Sequence, residues 1–136
     1  MTSGMCERLL RAERLVIVVV EDDDAYRRSI ARLLRLYGHE VHVFGSSEGY
    51  LVRGRDADCA VVDIPLPGMS GLELERSMRQ AHHRAGVVFI SAHNDPRTRA
   101  AVEDAARELL TKPFDDEDLL DAIARAAAGA ALPDRA

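Results

Sequence analysis

Short apolar runs alternate with amphipathic segments along most of this chain, and the runs read as buried strands. Apolar runs with polar or turn-forming residues at both ends are typical of strands that are covered on both faces of a parallel sheet. The strongest one is rich in valine, and another ends directly in a carboxylate, Asp63. The predicted strands are Leu15–Val20, Val41–Phe44, 59–63, Val87–Ile90 and Leu109–Thr111.

The segments between these runs have the spacing of helices. Apolar residues recur at helical intervals from Asp24 to Gly38, where glycine favours a stop. Asp95 followed by proline is typical of a helix start, and a glycine is expected to end the last helix. The predicted helices are Asp24–Gly38, a weak one after Ser46, one through Leu74 and Met78 to about Ala81, one from Asp95 to about Ala106, and Asp115–Ala128, ended by Gly129.

Five strands that alternate with five helices predict an α/β fold with a doubly wound parallel sheet. Right-handed crossovers place helices on both faces of such a sheet, and the natural order for five strands is 2-1-3-4-5. We expect one domain over residues 15–128, with an extension at 1–14 and a tail or linker stub at 129–136.

Composition narrows the class of protein. Of the 136 residues, 47% are hydrophobic but only 4% are aromatic, so alanine carries much of the apolar content and favours helices. A net charge of −5 argues against a general nucleic-acid or anionic-membrane surface. Two cysteines predict neither a disulfide framework nor a zinc site, and Cys59 is expected in the core. No run is long enough for a membrane span, and we expect a cytoplasmic setting.

The predicted order brings polar side chains from distant parts of the chain to one edge of the sheet. Ligands of open α/β sheets bind at the carboxyl ends of the strands, where the order of strands reverses. Glu21 and Asp22 follow the first strand, and Asp63 ends the third. Ser91 follows the fourth strand and Lys112 the fifth. Carboxylates this close raise one another's pKa unless a cation intervenes, and an all-oxygen cluster with room for water suits Mg²⁺.

Each residue also has an ordinary structural interpretation. Asp63 could cap a turn, and Asp23 and Asp24 could cap the first helix. Ser91 and Lys112 could lie on the surface. A stripe of arginines on the first helix is most simply solvated surface, although it could also dock an acidic partner.

These motifs resemble the receiver domain of two-component response regulators, with a CheY-like fold. The resemblance covers roughly residues 14–128. Glu21-Asp22 is similar to the acidic pair of that family, and the segment from Asp63 through Pro67 to Gly71 is similar to its phosphoacceptor loop. Ser91-Ala92 and Lys112-Pro113 match the hydroxyl position and the lysine-proline pair, and the latter implies a cis peptide.

The resemblance implies a role for each residue. Asp63 would accept a phosphoryl group from a kinase phosphohistidine. Mg²⁺ would be held by Asp22, Asp63 and the Pro65 carbonyl, with Glu21 acting through water. Lys112 and Ser91 would hold phosphoryl oxygens. The domain would then be a phosphorylation-controlled switch rather than a metabolic enzyme.

Three features depart from the family pattern. Ser91 stands where threonine is more usual, and Leu109 stands where the family has an aromatic switch residue. The stretch from Ser91 to Lys112 is one residue shorter than the common pattern. Its turn, Ala105-Ala106-Arg107, lacks the expected glycine.

Several functional alternatives stay open at this point. The domain could stand alone or form the N-terminal part of a longer transcriptional regulator, and it could be a pseudo-receiver that works without phosphorylation. From another class, Asp22-Asp23-Asp24 imitates the D-x-D motif of haloacid-dehalogenase-like, Mg²⁺-dependent phosphohydrolases. The expected partners are a sensor histidine kinase and a downstream effector, with no nucleic acid bound by this domain. If the domain forms a homodimer, residues 96–128 are the expected contact.

Overall fold

The computed structural model describes residues 14–53 and 56–131. Strands and helices alternate along the described chain. The strands are β1 (Val16–Val20), β2 (Glu40–Phe44), β3 (Cys59–Asp63), β4 (Gly86–Ser91) and β5 (Glu108–Thr111). The helices are α1 (Asp24–Leu36), α2 (Ser47–Arg53), α3 (Gly71–Gln80), α4 (Pro96–Asp104) and α5 (Asp116–Ala131).

The strands form one parallel sheet in the order β2-β1-β3-β4-β5, which confirms the predicted fold class. β1 and β3 are neighbours, with Val20 beside Val62, so the residues that follow them meet at one edge. On the other side of β3, Asp63 lies beside Ile90 of β4.

Successive strand residues point to opposite faces and build two cores. Ile17 and Val19 pack with the helices α1 and α5, and Val18 and Val20 pack on the face covered by α2, α3 and α4. All these strand side chains are inaccessible to solvent. The continuous apolar runs of the sequence are explained by this burial on both sides.

Helix boundaries largely follow the capping signals. Asp23 caps α1 by accepting a hydrogen bond from the Tyr26 N–H, and Asp95 caps α4 in the same way through Thr98. The Gly49 N–H donates to the Ser46 hydroxyl at the start of α2.

The prediction that Gly129 ends the last helix is wrong, since α5 continues to Ala131. Alanines on both sides of Gly129 favour helix enough to offset the cost of about 1 kcal/mol for one internal glycine. The sequence predicts Arg125 in the last turn, where its charge would suit the helix macrodipole, but the longer helix leaves it further from the end. It pairs instead with Glu108 of β5, with a nitrogen–oxygen distance of 2.8 Å. The predicted extension at residues 1–14 lies almost wholly outside the described residues.

The turn between α4 and β5 holds Ala106 in a left-handed conformation, with φ 57°. This region costs a residue with a Cβ roughly 1–2 kcal/mol, and glycine avoids that cost. In the turn where the family pattern has a glycine, this chain therefore has an alanine in a strained conformation.

Replacing Ala106 with glycine should raise the free energy of unfolding by about 0.5–1 kcal/mol, because relief of strain exceeds the added entropy of the unfolded chain. Urea denaturation with an unchanged slope would measure the gain. The control is Ala105→Gly, since Ala105 has φ −80° and gains nothing from glycine. Equal losses of stability in both variants would contradict the prediction.

Candidate functional site

Three carboxylates meet at the carboxyl edge of the sheet. Ligand atoms of Glu21, Asp22 and Asp63 all lie within 4.8 Å of one another. Glu21 and Asp63 are buried, at 1% and 3% exposure, whereas Asp22 is open to solvent. The sequence-predicted acidic cluster is therefore assembled, with one solvent-facing member.

The end of β3 and the start of α3 fix Asp63 in place. A Cβ on Gly71 would lie 2.2 Å from the Asp63 carbonyl oxygen, so only glycine lets α3 begin this close to the strand. Gly71 also donates its N–H to the Ile64 carbonyl at 2.9 Å. A capping box between Ser70 and Glu73 starts the helix.

The surroundings of the Asp63 carboxylate disfavour its negative charge. Burial raises the pKa of Asp63 to about 6, the nearby Glu21 carboxylate adds to the rise, and Lys112 opposes it. Its Oδ1 is buried and accepts no hydrogen bond from the described residues. Buried polar oxygens in native proteins are normally paired. An additional positive charge bound at this oxygen would therefore stabilise the ionised carboxylate.

Lys112 pairs more closely with Glu21 than with Asp63. Its Nζ lies 2.8 Å from Glu21 Oε1 and 3.4 Å from Asp63 Oδ1, and the longer contact lacks hydrogen-bond geometry. Burial lowers the pKa of Lys112, but the hydrogen bond to Glu21 and the charge of Asp63 outweigh it and leave the pKa raised. The lysine thus stays charged beside the cluster. Lys112-Pro113 is cis, as the resemblance implied.

Ser91 lies at the same edge and is fully buried. Its hydroxyl accepts a hydrogen bond from the His93 N–H at 3.0 Å, so it holds the start of the loop before α4. Pro65 is exposed on the loop that follows Asp63, between the buried Ile64 and Leu66.

The contact of Tyr26 with the site was not predicted from the sequence. Its helical spacing places Tyr26 only on the apolar face of α1. The Lys112 Nζ lies 4.5 Å from the centroid of the Tyr26 ring, in a cation–π contact. Tyr26 also packs edge-on against Phe114. Its helical spacing gave no sign of this contact, because Lys112 follows β5, 86 positions later in the sequence.

The predicted switch position, Leu109, is partly buried and packs against the core on the α3 and α4 side. Together with Val102 and Thr111 it lines a cavity of about 320 Å³ between α4 and β5. Leu109 therefore borders this cavity with an aliphatic side chain, where the family pattern has an aromatic one.

The fold and the acidic edge together define a doubly wound α/β domain with a carboxylate cluster where the strand order reverses. Residues 17–124 match the family model described as the response regulator receiver domain. The chain belongs to the response regulator receiver domain family.

Two curated relatives illustrate the match. Nodulation protein W of Bradyrhizobium diazoefficiens is 38% identical over 116 residues, which make up 83% of this chain and 51% of that protein. The transcriptional regulatory protein FixJ of Azorhizobium caulinodans is 37% identical over 82% of this chain and 54% of its own length. This chain spans about half the length of these relatives.

Solved structures show the same fold. The FixJ-N crystal structure has a TM-score of 0.78 at 28% identity, covering 85% of this chain and 95% of that one. The response regulator TrrA of Thermotoga maritima, solved in complex with Mg²⁺-BeF, has a TM-score of 0.72 at 26% identity, covering 81% and 96%. A CheY-like receiver from Methanospirillum hungatei, 22% identical, shares the fold with a TM-score of 0.80 over 87% and 97%.

Proposed function

We propose that this receiver domain is a signalling switch that accepts a phosphoryl group on Asp63. The single observation that carries the proposal is the buried Asp63 oxygen, which accepts no hydrogen bond from the described residues and lies in the acidic cluster, 3.4 Å from the Lys112 ammonium. In the proposed step, an Asp63 carboxylate oxygen attacks the phosphorus of a kinase phosphohistidine. A P–O bond forms as the P–N bond breaks, and the imidazole leaves.

The donor set suits a hard divalent cation, for which we propose Mg²⁺. Only oxygen atoms are offered, one of the three carboxylates faces solvent, and Asp63 Oδ1 accepts no hydrogen bond from the described residues. Asp22, Asp63 and the Pro65 carbonyl would hold the ion, with Glu21 acting through water. Bound there, Mg²⁺ would neutralise negative charge on the phosphoryl oxygens.

Lys112 and Ser91 are the proposed phosphoryl-holding residues. Lys112 is already 3.4 Å from Asp63 Oδ1, and moving from Glu21 to the phosphoryl oxygens would keep its charge paired. The Ser91 hydroxyl can donate its proton to a phosphoryl oxygen while it still accepts from the His93 N–H, so movement of Ser91 toward the phosphoryl group would draw the loop before α4 with it. Leu109, with no ring or hydroxyl to re-pair, is expected to change little.

Partners follow from the phosphoryl chemistry. We propose a sensor histidine kinase as the donor and an effector domain or protein as the recipient of the signal, and a possible homodimer contact through residues 96–128. The relatives of about twice this length include transcriptional regulators, which supports a role within a longer regulator.

Membrane spanning and metabolic turnover play no part in this proposal. Within residues 14–53 and 56–131, no helix has the length and apolarity of a membrane span. The cytoplasmic setting remains a prediction. The dehalogenase-like alternative needs Asp24 at the site, but Asp24 begins α1 and pairs with Arg27 and Arg28.

Intact-mass analysis after incubation with acetyl phosphate tests the proposal. We expect a gain of one phosphoryl group that requires Mg²⁺ and is removed by hydroxylamine, because the product is an acyl phosphate. Asp22→Ala should slow the gain strongly, since it removes a proposed metal ligand. No gain from acetyl phosphate or from a histidine kinase would favour the phosphorylation-independent pseudo-receiver.

A further inference from the structure

The loop between Asp63 and α3 carries Pro65, and its first half is held by the sheet. The Ile64 N–H donates to the Ile90 carbonyl at 3.0 Å, and the Leu66 N–H donates to the Ile64 carbonyl at 2.9 Å. Ile64 and Leu66 are buried on either side of the exposed Pro65. These contacts hold the loop on one side of the Pro65 carbonyl, so the position of that carbonyl also depends on what holds the second half of the loop.

Glu48 of α2 holds that second half. Its Oε2 accepts a hydrogen bond from the Met69 N–H at 2.8 Å. A Cβ on Gly68 would lie 2.6 Å from the same oxygen, so the Glu48 carboxylate occupies the space that a side chain at position 68 would need. Gly68 has φ +74°, a conformation that glycine adopts without strain. Among the described residues outside the loop and α3, Glu48 is the only one whose side chain forms a hydrogen bond with residues 64–70.

The helix that carries Glu48, α2, is held in place by packing and by a hydrogen bond at its start. Tyr50, two residues further along α2, is 2% exposed, and its ring centroid lies 5.3 Å from that of Phe44. The hydrogen bond between the Gly49 N–H and Ser46 Oγ secures the first turn of the helix. The hydrogen bond from Met69 lowers the pKa of Glu48, in keeping with an ionised acceptor at neutral pH.

We propose that Glu48 is a positioning residue for the metal site: by clamping Gly68 and Met69 it fixes the loop that presents the Pro65 carbonyl. The proposal rests on the proposed function, because Pro65 and Mg²⁺ enter only there. Groups that orient a metal ligand without touching the ion commonly set its affinity. Glu48 acts from another helix, 17 residues before Pro65 in the sequence.

Isothermal titration of the chain with Mg²⁺ alone tests this role. Glu48→Ala should weaken Mg²⁺ binding about three- to tenfold, because the loop gains alternative conformations. Glu48→Gln is the matched control: it removes the same charge but keeps an oxygen that can accept from Met69, so its affinity should stay within about twofold of the wild type. Glu48 is exposed, so neither variant is expected to unfold.

A second measurement separates positioning from general damage. The Mg²⁺ concentration that gives half the maximal phosphorylation rate should rise in Glu48→Ala, and the rate at saturating Mg²⁺ should recover. Wild-type affinity in Glu48→Ala, or equal weakening in Glu48→Gln, would overturn the positioning role. Those results would leave the proposed function intact if Asp22→Ala loses Mg²⁺ binding. Absence of Mg²⁺ binding in the wild type would overturn the proposed metal site and this role together.

Discussion

Asp63→Asn should gain no phosphoryl group from acetyl phosphate, and the metal-free variant should be more stable than the wild type at neutral pH. The amide cannot act as the attacking carboxylate, so the labelling should disappear. It also removes a buried negative charge beside Glu21, a charge that burial makes unfavourable.

The gain in stability should depend on pH in a defined direction. The pKa of Asp63 rises from an ordinary 3.8 to about 6 in the folded domain. Between these values the folded state binds more protons than the unfolded state, so the wild type loses stability as the pH rises through this window. The loss levels off about one pH unit above the folded pKa, and the asparagine variant avoids it. The gain should be on the order of 1–3 kcal/mol at pH 7 and should fade below pH 4.

Urea denaturation of the metal-free protein at several pH values would measure the gain, and intact mass would measure the labelling. Asp22→Asn is the matched control, because it removes one charge of the same cluster from an exposed side chain and should stabilise less. A phosphoryl group retained at full stoichiometry by Asp63→Asn would refute the assignment of the nucleophile. A gain that is the same at pH 4 and pH 7 would refute the electrostatic explanation.

Glu75→Leu should destabilise the domain by about 2–4 kcal/mol, because Glu75 is a buried carboxylate bound by two arginines. It is 1% exposed and lies on the inner side of α3. Arg79 reaches it from the next turn with two nitrogens, at distances of 3.0–3.2 Å. Arg107, in the turn before β5, donates its Nε–H to Glu75 Oε2 at 3.1 Å.

A double-mutant cycle would isolate the contact between α3 and the turn. Arg107 is only 22% exposed in its side chain, whereas Arg79 is 51% exposed. Replacing both Glu75 and Arg107 with leucine should cost at least 1 kcal/mol less than the sum of the single changes, because neither member of this pair is left without the other. Arg79→Leu is the control and should cost less than about 1 kcal/mol. Additive single effects would show that Arg107 contributes little to holding Glu75.

The sheet could be predicted almost completely from the sequence, because its strands are covered on both faces. Burial on two sides demands continuous apolar runs, and such runs stand out from the helical spacing around them. The alternation of strands and helices then limits the strand order to few choices. Helix ends were less certain. Gly129 shows that a single glycine among alanines does not decide a boundary.

The acidic cluster was also predictable, since strand order alone brings Glu21, Asp22 and Asp63 to one edge. The choice of partner for Lys112 within the site was not predictable. Whether Lys112 contacts Glu21 or Asp63 depends on differences of less than 1 Å, and strand order does not determine them.

Glu75 shows a different limit. A glutamate among charged residues on a helix is usually assigned to solvent, because burying its charge without a partner is costly. Its burial depends on Arg107, 32 positions later, which the helical spacing of α3 cannot reveal.

The contact between Glu75 and Arg107 restricts how chimeras of two receiver domains can be built. A chimera joined between α3 and α4 would take Glu75 from one parent and the residue at position 107 from the other. If the second parent lacks a cation there, the buried carboxylate would keep only Arg79 as a partner. Functional exchange of the β4–α5 half would therefore require position 75 to be exchanged with it, in addition to a match at the Glu21–Lys112 contact that crosses the same boundary.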